Sequence, residues 1–333
     1  SGKHNNWSLV TDEGQNLFDP GKTPHENVQF LLFLVAVLRA VDLHADLLRY
    51  SAANPGNDHR LGAAEAPPAI ISVYLGETLE NVLTQIEQND VLFSKKSDMF
   101  KVGVSSLPTF KKDDTDRNRT SPFAFTGNKF EFRMVPSSAS ISGPNVILNT
   151  AVADVLCGFA DELENKSDFN KAVWELIRKY SKEHKRIIFN GNGYSQEWKK
   201  EAEKRGLLNI TNTVDAIDFI CSEKAVKMFS YHKVFSKSEL NARSMIKYEK
   251  YIKTINIEAR TMIDMASKQI IPSVIEYSMM LAKSIINVKS ALKTDAKFVT
   301  QDILKEIMEL LDEAKVAVDV LKDVLDYAEE RNE

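Results

Sequence analysis

Cysteine is nearly absent from this chain. Cys157 and Cys221 are the only two in 333 residues, and neither lies near a second cysteine or a histidine. That argues against a disulfide framework and a thiolate zinc site and suits a reducing cytoplasm, with both thiols expected as plain buried side chains. Long apolar runs are missing too: the strongest, 30–38, is interrupted by Arg39 and then Asp42, so nothing reaches the length of a membrane span. Positive charge is not in excess, and a net charge of -4 gives no general pull toward nucleic acid or an anionic membrane. An initiating methionine is lacking, since Ser1 and Gly2 open directly into Lys3-His4-Asn5-Asn6-Trp7-Ser8. The chain is therefore expected to be part of something longer, and a missing leader carries no information.

What is present is ordinary for a soluble globular protein, with 43% apolar and 27% charged residues. The length allows two domains, or one large domain with an appendage. Thr23, Pro24 and Glu26 predict a capped helix start, and the helix is expected to run to about 52, apolar all round between 30 and 38. Residues 53–62 read as a loop, 67–75 as a strand or extended segment, 76–88 as a helix and 111–120 as a second polar loop. From Asn128 to Met134 the period becomes two: Lys129, Glu131 and Arg133 share one face, and Phe130, Phe132 and Met134 the other. Beyond 145 the pattern is almost wholly helical, over 145–164, 169–184, 195–205, 213–229, 236–293 with an interruption at Pro272, and 299–328. The last two are expected to pair antiparallel across 294–297.

Four blocks carry residue types suited to chemistry. In an extended segment His4, Asn6 and Ser8 point the same way, giving a metal-capable imidazole with two polar neighbours, or a plain polar terminus. In Asn57-Asp58-His59-Arg60-Leu61-Gly62-Ala63-Ala64-Glu65-Ala66-Pro67-Pro68, Arg60 suits bidentate capture of a carboxylate or phosphate, and Glu65 can act as a base or hold a cation; a loop ion pair is the alternative. Arg117 and Arg119 follow Asp114 and Asp116 in a loop that clamps phosphates or is a solvated charge run. On the strand, Glu131 and Arg133 can bind a divalent cation and the anion it neutralises, or form a cross-strand ion pair.

Taken together and in this order, the blocks resemble the second half of the glutamine synthetase active site. The matching features are His4, Asn6 and Ser8 at alternate positions, Arg60-Leu61 leading to Glu65-Ala66-Pro67, Asn118-Arg119-Thr120, and Glu131-Phe132-Arg133. The Lys-His-Asn-Asn-Trp-Ser block, Glu-Ala-Pro-Pro-Ala-Ile and the long helical tail look like the type III branch. The resemblance implies an α+β fold: the C-terminal part of the catalytic domain over 1–165, an antiparallel sheet with helices, then a long-helix bundle over 166–333. It implies ATP-dependent ligation of ammonia to the γ-carboxylate of glutamate through a γ-glutamyl phosphate. His4 and Glu131 would hold Mg²⁺ or Mn²⁺, and Asn6 and Ser8 would lie beside the nucleotide. Arg60 would hold a glutamate carboxylate, Glu65 would serve the ammonium site and its flap, and Arg119 and Arg133 would stabilise moving phosphate charge. A ring-forming homo-oligomer in the cytoplasm is expected, with no nucleic-acid or membrane partner.

Three departures accompany the resemblance. The loop from Arg60 to Glu65 is one residue shorter than in smaller members, and no arginine follows in 121–125. The family's other metal-binding carboxylates and its β-grasp domain would lie upstream of Ser1, so this chain alone is expected to make little or no glutamine. The competing readings are a ligase using another amine and a non-catalytic helical scaffold. Asn190-Gly191-Asn192-Gly193-Tyr194-Ser195 lacks the lysine and spacing of a phosphate loop and reads as a turn with Ser195 as a helix cap. Met245, Met262, Met265, Met279 and Met280 read as packing residues. His184 and His232, without ligand-spaced partners, read as surface or core histidines.

Overall fold

The computed structural model describes residues 2–63, 66–88 and 121–331, and the chain divides into two compact units, Ser1–Tyr248 and Glu249–Glu333. The first is organised around α1 (Val28–Leu43), whose Phe30, Leu31, Leu34, Val35, Ala36, Val37, Leu38, Ala40 and Val41 are all buried. A helix that is apolar all round needs neighbours on several sides. α2 (Ala45–Ser51), α5 (Ser142–Leu163) and α6 (Phe169–Glu183) supply them.

The start expected at Thr23 is displaced: Asn27 is the cap, its side chain accepting from the Phe30 amide at 3.0 Å, and 24–26 form a turn. The end is displaced as well. At His44 the backbone leaves the helical region (φ -121°, ψ 27°), and α2 begins as a separate helix.

Four short strands form one sheet in the order β1-β4-β3-β2: β1 (Asn5–Trp7), β2 (Val73–Tyr74), β3 (Phe123–Phe125) and β4 (Phe130–Phe132). β4 pairs antiparallel with both β1 and β3, while β2 and β3 run parallel, so the sheet is mixed. Its buried side is aromatic. Phe130 meets Phe18 and Phe123, each with centroids 5.2 Å apart, and Phe125 at 5.3 Å. Such pairs contribute about 0.5–1.5 kcal/mol each beyond their buried area. Phe30 of α1 reaches Phe125 at 5.8 Å and ties the sheet to the central helix.

Residues 53–62 are not a loop throughout, because Pro55–Arg60 form α3. Asn54 caps it and Pro55 occupies its first turn, where no amide hydrogen is needed. α4 (Glu77–Gln88) packs against α6, and α7 (Gln196–Lys204) starts at Ser195, whose hydroxyl accepts from the Trp198 amide at 3.1 Å. The single helix expected over 213–229 is divided into α8 (Thr213–Ile217), a 3₁₀ turn (Asp218–Cys221) and α9 (Glu223–Tyr231), because Ser222 is extended and caps α9. Cys157 is exposed on α5 and Cys221 is half-buried, so neither thiol has the full burial expected of it.

α10 (Lys237–Met265) leads through a π-helical turn (Ala266–Ile270) into α11 (Ile271–Leu292), with Pro272 in the first turn of α11. Lys293 adopts the left-handed conformation (φ 48°) that closes α11, and α12 (Val299–Glu330) packs back on it. An ion pair between Arg260 and Glu329 joins the ends of this hairpin. Within it Met262, Met265, Met279 and Met280 are exposed, as is Met245 of the first unit, which corrects the expectation of packing methionines. A two-helix hairpin covers only one stripe of each helix. No helix among the described residues is long and apolar enough to cross a membrane.

Candidate functional site

The site begins with the alternation along β1. Asn5 and Trp7 point inward and are anchored to α5, Asn5 Nδ2 donating to Asn145 Oδ1 at 2.9 Å and Trp7 Nε1 to Asn149 Oδ1 at 2.8 Å. His4 and Asn6 are left on the outer side, both exposed. The antiparallel register places Asn6 opposite Glu131, and the neighbouring His4 Nδ1 touches Glu131 Oε1. Glu131 Oε2 accepts from Arg133 twice, from Nε at 3.0 Å and from Nη2 at 2.9 Å. Glu131 is 8% exposed. Burial works against its charge, but the hydrogen bonds and charge of Arg133, with those of His4, outweigh it and hold the carboxyl below its ordinary pKa.

Arg60 approaches from the C-terminal end of α3. Its Nε donates to Asn57 Oδ1 and its Nη2 to the Met134 carbonyl, both at 2.9 Å. His4, Arg60 and Arg133 line one cavity of about 240 Å³, together with Gly2, Lys3, Ser121 and Met134. Two guanidinium groups and an imidazole therefore share one hollow, and Glu131 is tied to its edge through His4 and Arg133. Such a hollow suits an anionic ligand and the cation that accompanies it.

An imidazole nitrogen and a carboxylate are donor types that Mg²⁺ and Mn²⁺ accept, and Glu131 is kept ionised, so this pair fits a divalent cation as part of a ligand set. Among the described residues no group of three or more His, Cys, Asp or Glu converges in a way that could hold a metal.

Not every expected residue joins the hollow. Asn6 lies farther along β1, its amide reaching the His4 carbonyl at 3.5 Å. Ser8 donates to Asn16 Oδ1 at 2.9 Å and, among the described residues, is not part of the lining. Glu65 and Arg119 lie outside the described residues, as does the rest of 114–120. Asp58 turns to Thr213, accepting its hydroxyl at 2.8 Å, and lies 3.8 Å from buried Arg49.

Sequence reasoning missed Gly2 and Lys3 as lining residues and Asn57 as the partner of Arg60. The signal for Asn57 was its position three before Arg60, one helical turn away, but reading 53–62 as a loop hid it. Asn190 proves structural: its side-chain oxygen accepts the amides of Leu75 and Gly76 at 2.9 and 3.0 Å. His184 is buried against Asp42 at 2.7 Å, and His232 meets Asp154 at 2.9 Å, which gives both histidines structural partners.

Comparison with known proteins shows the family of the chain. The family described as "Glutamine synthetase C-terminal domain" matches residues 172–289. A type-3 glutamine synthetase from Dictyostelium discoideum is 46% identical over 305 residues, 90% of this chain and 41% of the relative. A glutamine synthetase from Butyrivibrio fibrisolvens is 43% identical over 315 residues (92% and 44%), and one from Bacteroides fragilis 39% over 339 residues (99% and 46%). The chain thus spans less than half the length of these relatives, while nearly all of it is matched by them. It belongs to the glutamine synthetase family, on the type III branch.

Proposed function

We propose that this chain contributes the later part of the active site of an ATP-dependent glutamate–ammonia ligase. The observation that carries the reading is the convergence of His4, Arg60 and Arg133 on one hollow, with Glu131 bonded to both His4 and Arg133, in a chain whose relatives are glutamine synthetases. In this reaction a γ-carboxylate oxygen of L-glutamate attacks the γ-phosphorus of ATP and ADP leaves. Ammonia then attacks the resulting acyl phosphate, and phosphate leaves with the C–O bond. Such transfers depend mainly on positioning and charge neutralisation.

Arg60 holds a carboxylate of glutamate, and its immobilised guanidinium suits a fixed bidentate grip. Arg133 and Arg119 neutralise the phosphoryl group in transit. Asn6 and Ser8 sit toward the nucleotide. Glu65 favours ammonium and takes a proton from it, on a flap that keeps water from the acyl phosphate. His4 and Glu131 hold Mg²⁺ or Mn²⁺, which supplies positive charge beside the phosphoryl oxygens. The substrates are glutamate, ammonium and ATP. The chain acts in the cytoplasm within a ring-forming homo-oligomer, with no nucleic-acid or membrane partner. We assign 1–165 to the catalytic domain and 166–333 to a helical C-terminal region, a division supported by the family match starting at 172.

Calorimetric titration of Mn²⁺ with ATP into the chain tests the reading. His4→Ala and Glu131→Gln are each expected to weaken binding at least tenfold, about 1.4 kcal/mol or more. Binding that neither substitution alters would overturn the site assignment.

A further inference from the structure

We propose that Asn57 is the positioning residue of the glutamate site, fixing the Arg60 guanidinium in the plane from which it grips a carboxylate. The inference rests on the proposed role of Arg60. Asn57 is fully buried. Its amide nitrogen donates to the carbonyls of Ala52 at 2.6 Å and Met134 at 2.9 Å, and its oxygen accepts from Arg60 Nε at 2.9 Å. This fixes which way the amide points, because a flipped amide would set its oxygen against two carbonyls and its nitrogen against a guanidinium donor.

The Met134 carbonyl serves both residues, accepting from Asn57 Nδ2 and from Arg60 Nη2, each at 2.9 Å. Guanidinium, amide and carbonyl therefore form one closed triangle of hydrogen bonds. Two donors on different nitrogens, Nε and Nη2, set the guanidinium plane, since a planar fork held at two points cannot pivot and rotate about either hydrogen bond as it could about one alone. Glycine keeps the Nη1 end of the fork clear, since a β-carbon at Gly2 would lie 2.5 Å from Arg60 Nη1 and 3.2 Å from the Arg133 carbonyl. Gly2 and Arg60 both line the hollow. An arginine in an open cavity would lose rotamer freedom on binding; here that loss is made on folding.

The test compares Asn57→Ala, Asn57→Asp and Arg60→Ala in the full chain. Side-chain ¹⁵N NMR follows the Arg60 Nε–Hε signal and the rotation of its guanidinium, and calorimetry with L-glutamate follows affinity. Asn57→Ala removes the acceptor, so guanidinium rotation should become fast and glutamate affinity should fall about tenfold. Asn57→Asp loses both amide donors and destabilises the fold, yet keeps an oxygen for Nε and should keep rotation slow. A purely structural Asn57 would give the two variants the same Arg60 signal. The proposal is overturned if Asn57→Ala retains slow rotation, or if Asn57→Asp becomes as fast as Asn57→Ala. A fall in glutamate affinity confined to Asn57→Ala and Arg60→Ala supports it. If Arg60→Ala leaves glutamate binding unchanged, the role assigned to Arg60 fails, and the proposal that depends on it falls as well. Slow rotation lost in Asn57→Ala would then distinguish this outcome from a failure of the hydrogen-bond argument.

Discussion

Acidification should remove about 3 kcal/mol of stability through one side chain, His44. This histidine, between α1 and α2, is 4% exposed, and its buried Nδ1 has no hydrogen-bond partner among the described residues. Burial first, and then the nearby charge of Lys224, push its pKa down from 6.5 to about 4, against smaller opposing effects of Asp46 and Asp154. In the unfolded chain His44 takes up its proton near 6.5, whereas the folded protein resists until about 4. Between those values the unfolded state binds more protons, so stability rises with pH. The contribution is fully present above pH 6.5 and is lost as pH falls through this window toward about 4. Each pH unit between the two pKa values corresponds to about 1.4 kcal/mol, which gives the total above. Urea unfolding at pH 7, 5.5 and 4.5 should therefore show a steeper loss for the wild type than for His44→Gln, which cannot titrate. Carboxylates that titrate in the same range affect both proteins alike and cancel in the difference. Parallel pH dependences for the two would refute the reasoning.

Two further substitutions test the packing. Gly158 sits inside α5, where an added β-carbon would meet nothing within 4 Å, so Gly158→Ala should stabilise the protein by about 0.5–1 kcal/mol; a lower melting temperature would contradict this. Asp42 accepts from Arg186 Nε at 3.0 and 3.1 Å and meets His184 Nδ1 at 2.7 Å, with its side chain only 3% exposed. Asp42→Asn should cost about 2–3 kcal/mol. Arg186→Gln should cost less, because Arg186 is nearly half exposed; equal urea midpoints for wild type and Asp42→Asn would show that the network adds nothing.

The fold class and the facing of two strands were legible in the sequence, whereas pairing and element boundaries were not. Alternation alone put His4 and Asn6 on one side of a strand and Trp7 on the other, and it set Glu131 and Arg133 apart from Phe130 and Phe132. What period two could not supply was pairing: nothing in either segment says that Asn6 lies opposite Glu131. Helix existence was legible from apolar periodicity beyond 145, yet boundaries moved wherever one polar side chain captured a backbone amide. Asn27 took the cap from Thr23, and Ser222 divided a helix read as continuous. α3 was hidden because its Asn, Pro, Gly and Asp residues are turn formers, although Asn54 and Pro55 also start a helix well. Cys157 was misjudged because burial was inferred from residue type, whereas its place on α5 faces outward.

The π turn at Ala266–Ile270 has a consequence for how the long helix is indexed. A π turn accommodates one residue more than an α turn, so every position after it is rotated by roughly one residue step, ~100°, relative to a continuous count. Met262 and Met265 on one side of the joint, and Met279 and Met280 on the other, therefore cannot be placed on a common wheel by counting. The direction in which α11 presents its side chains is set by five residues that are not part of it. Removing a single residue there would re-aim the whole of α11 without changing one of its own amino acids, while Pro272 keeps a place where its missing amide hydrogen is tolerated.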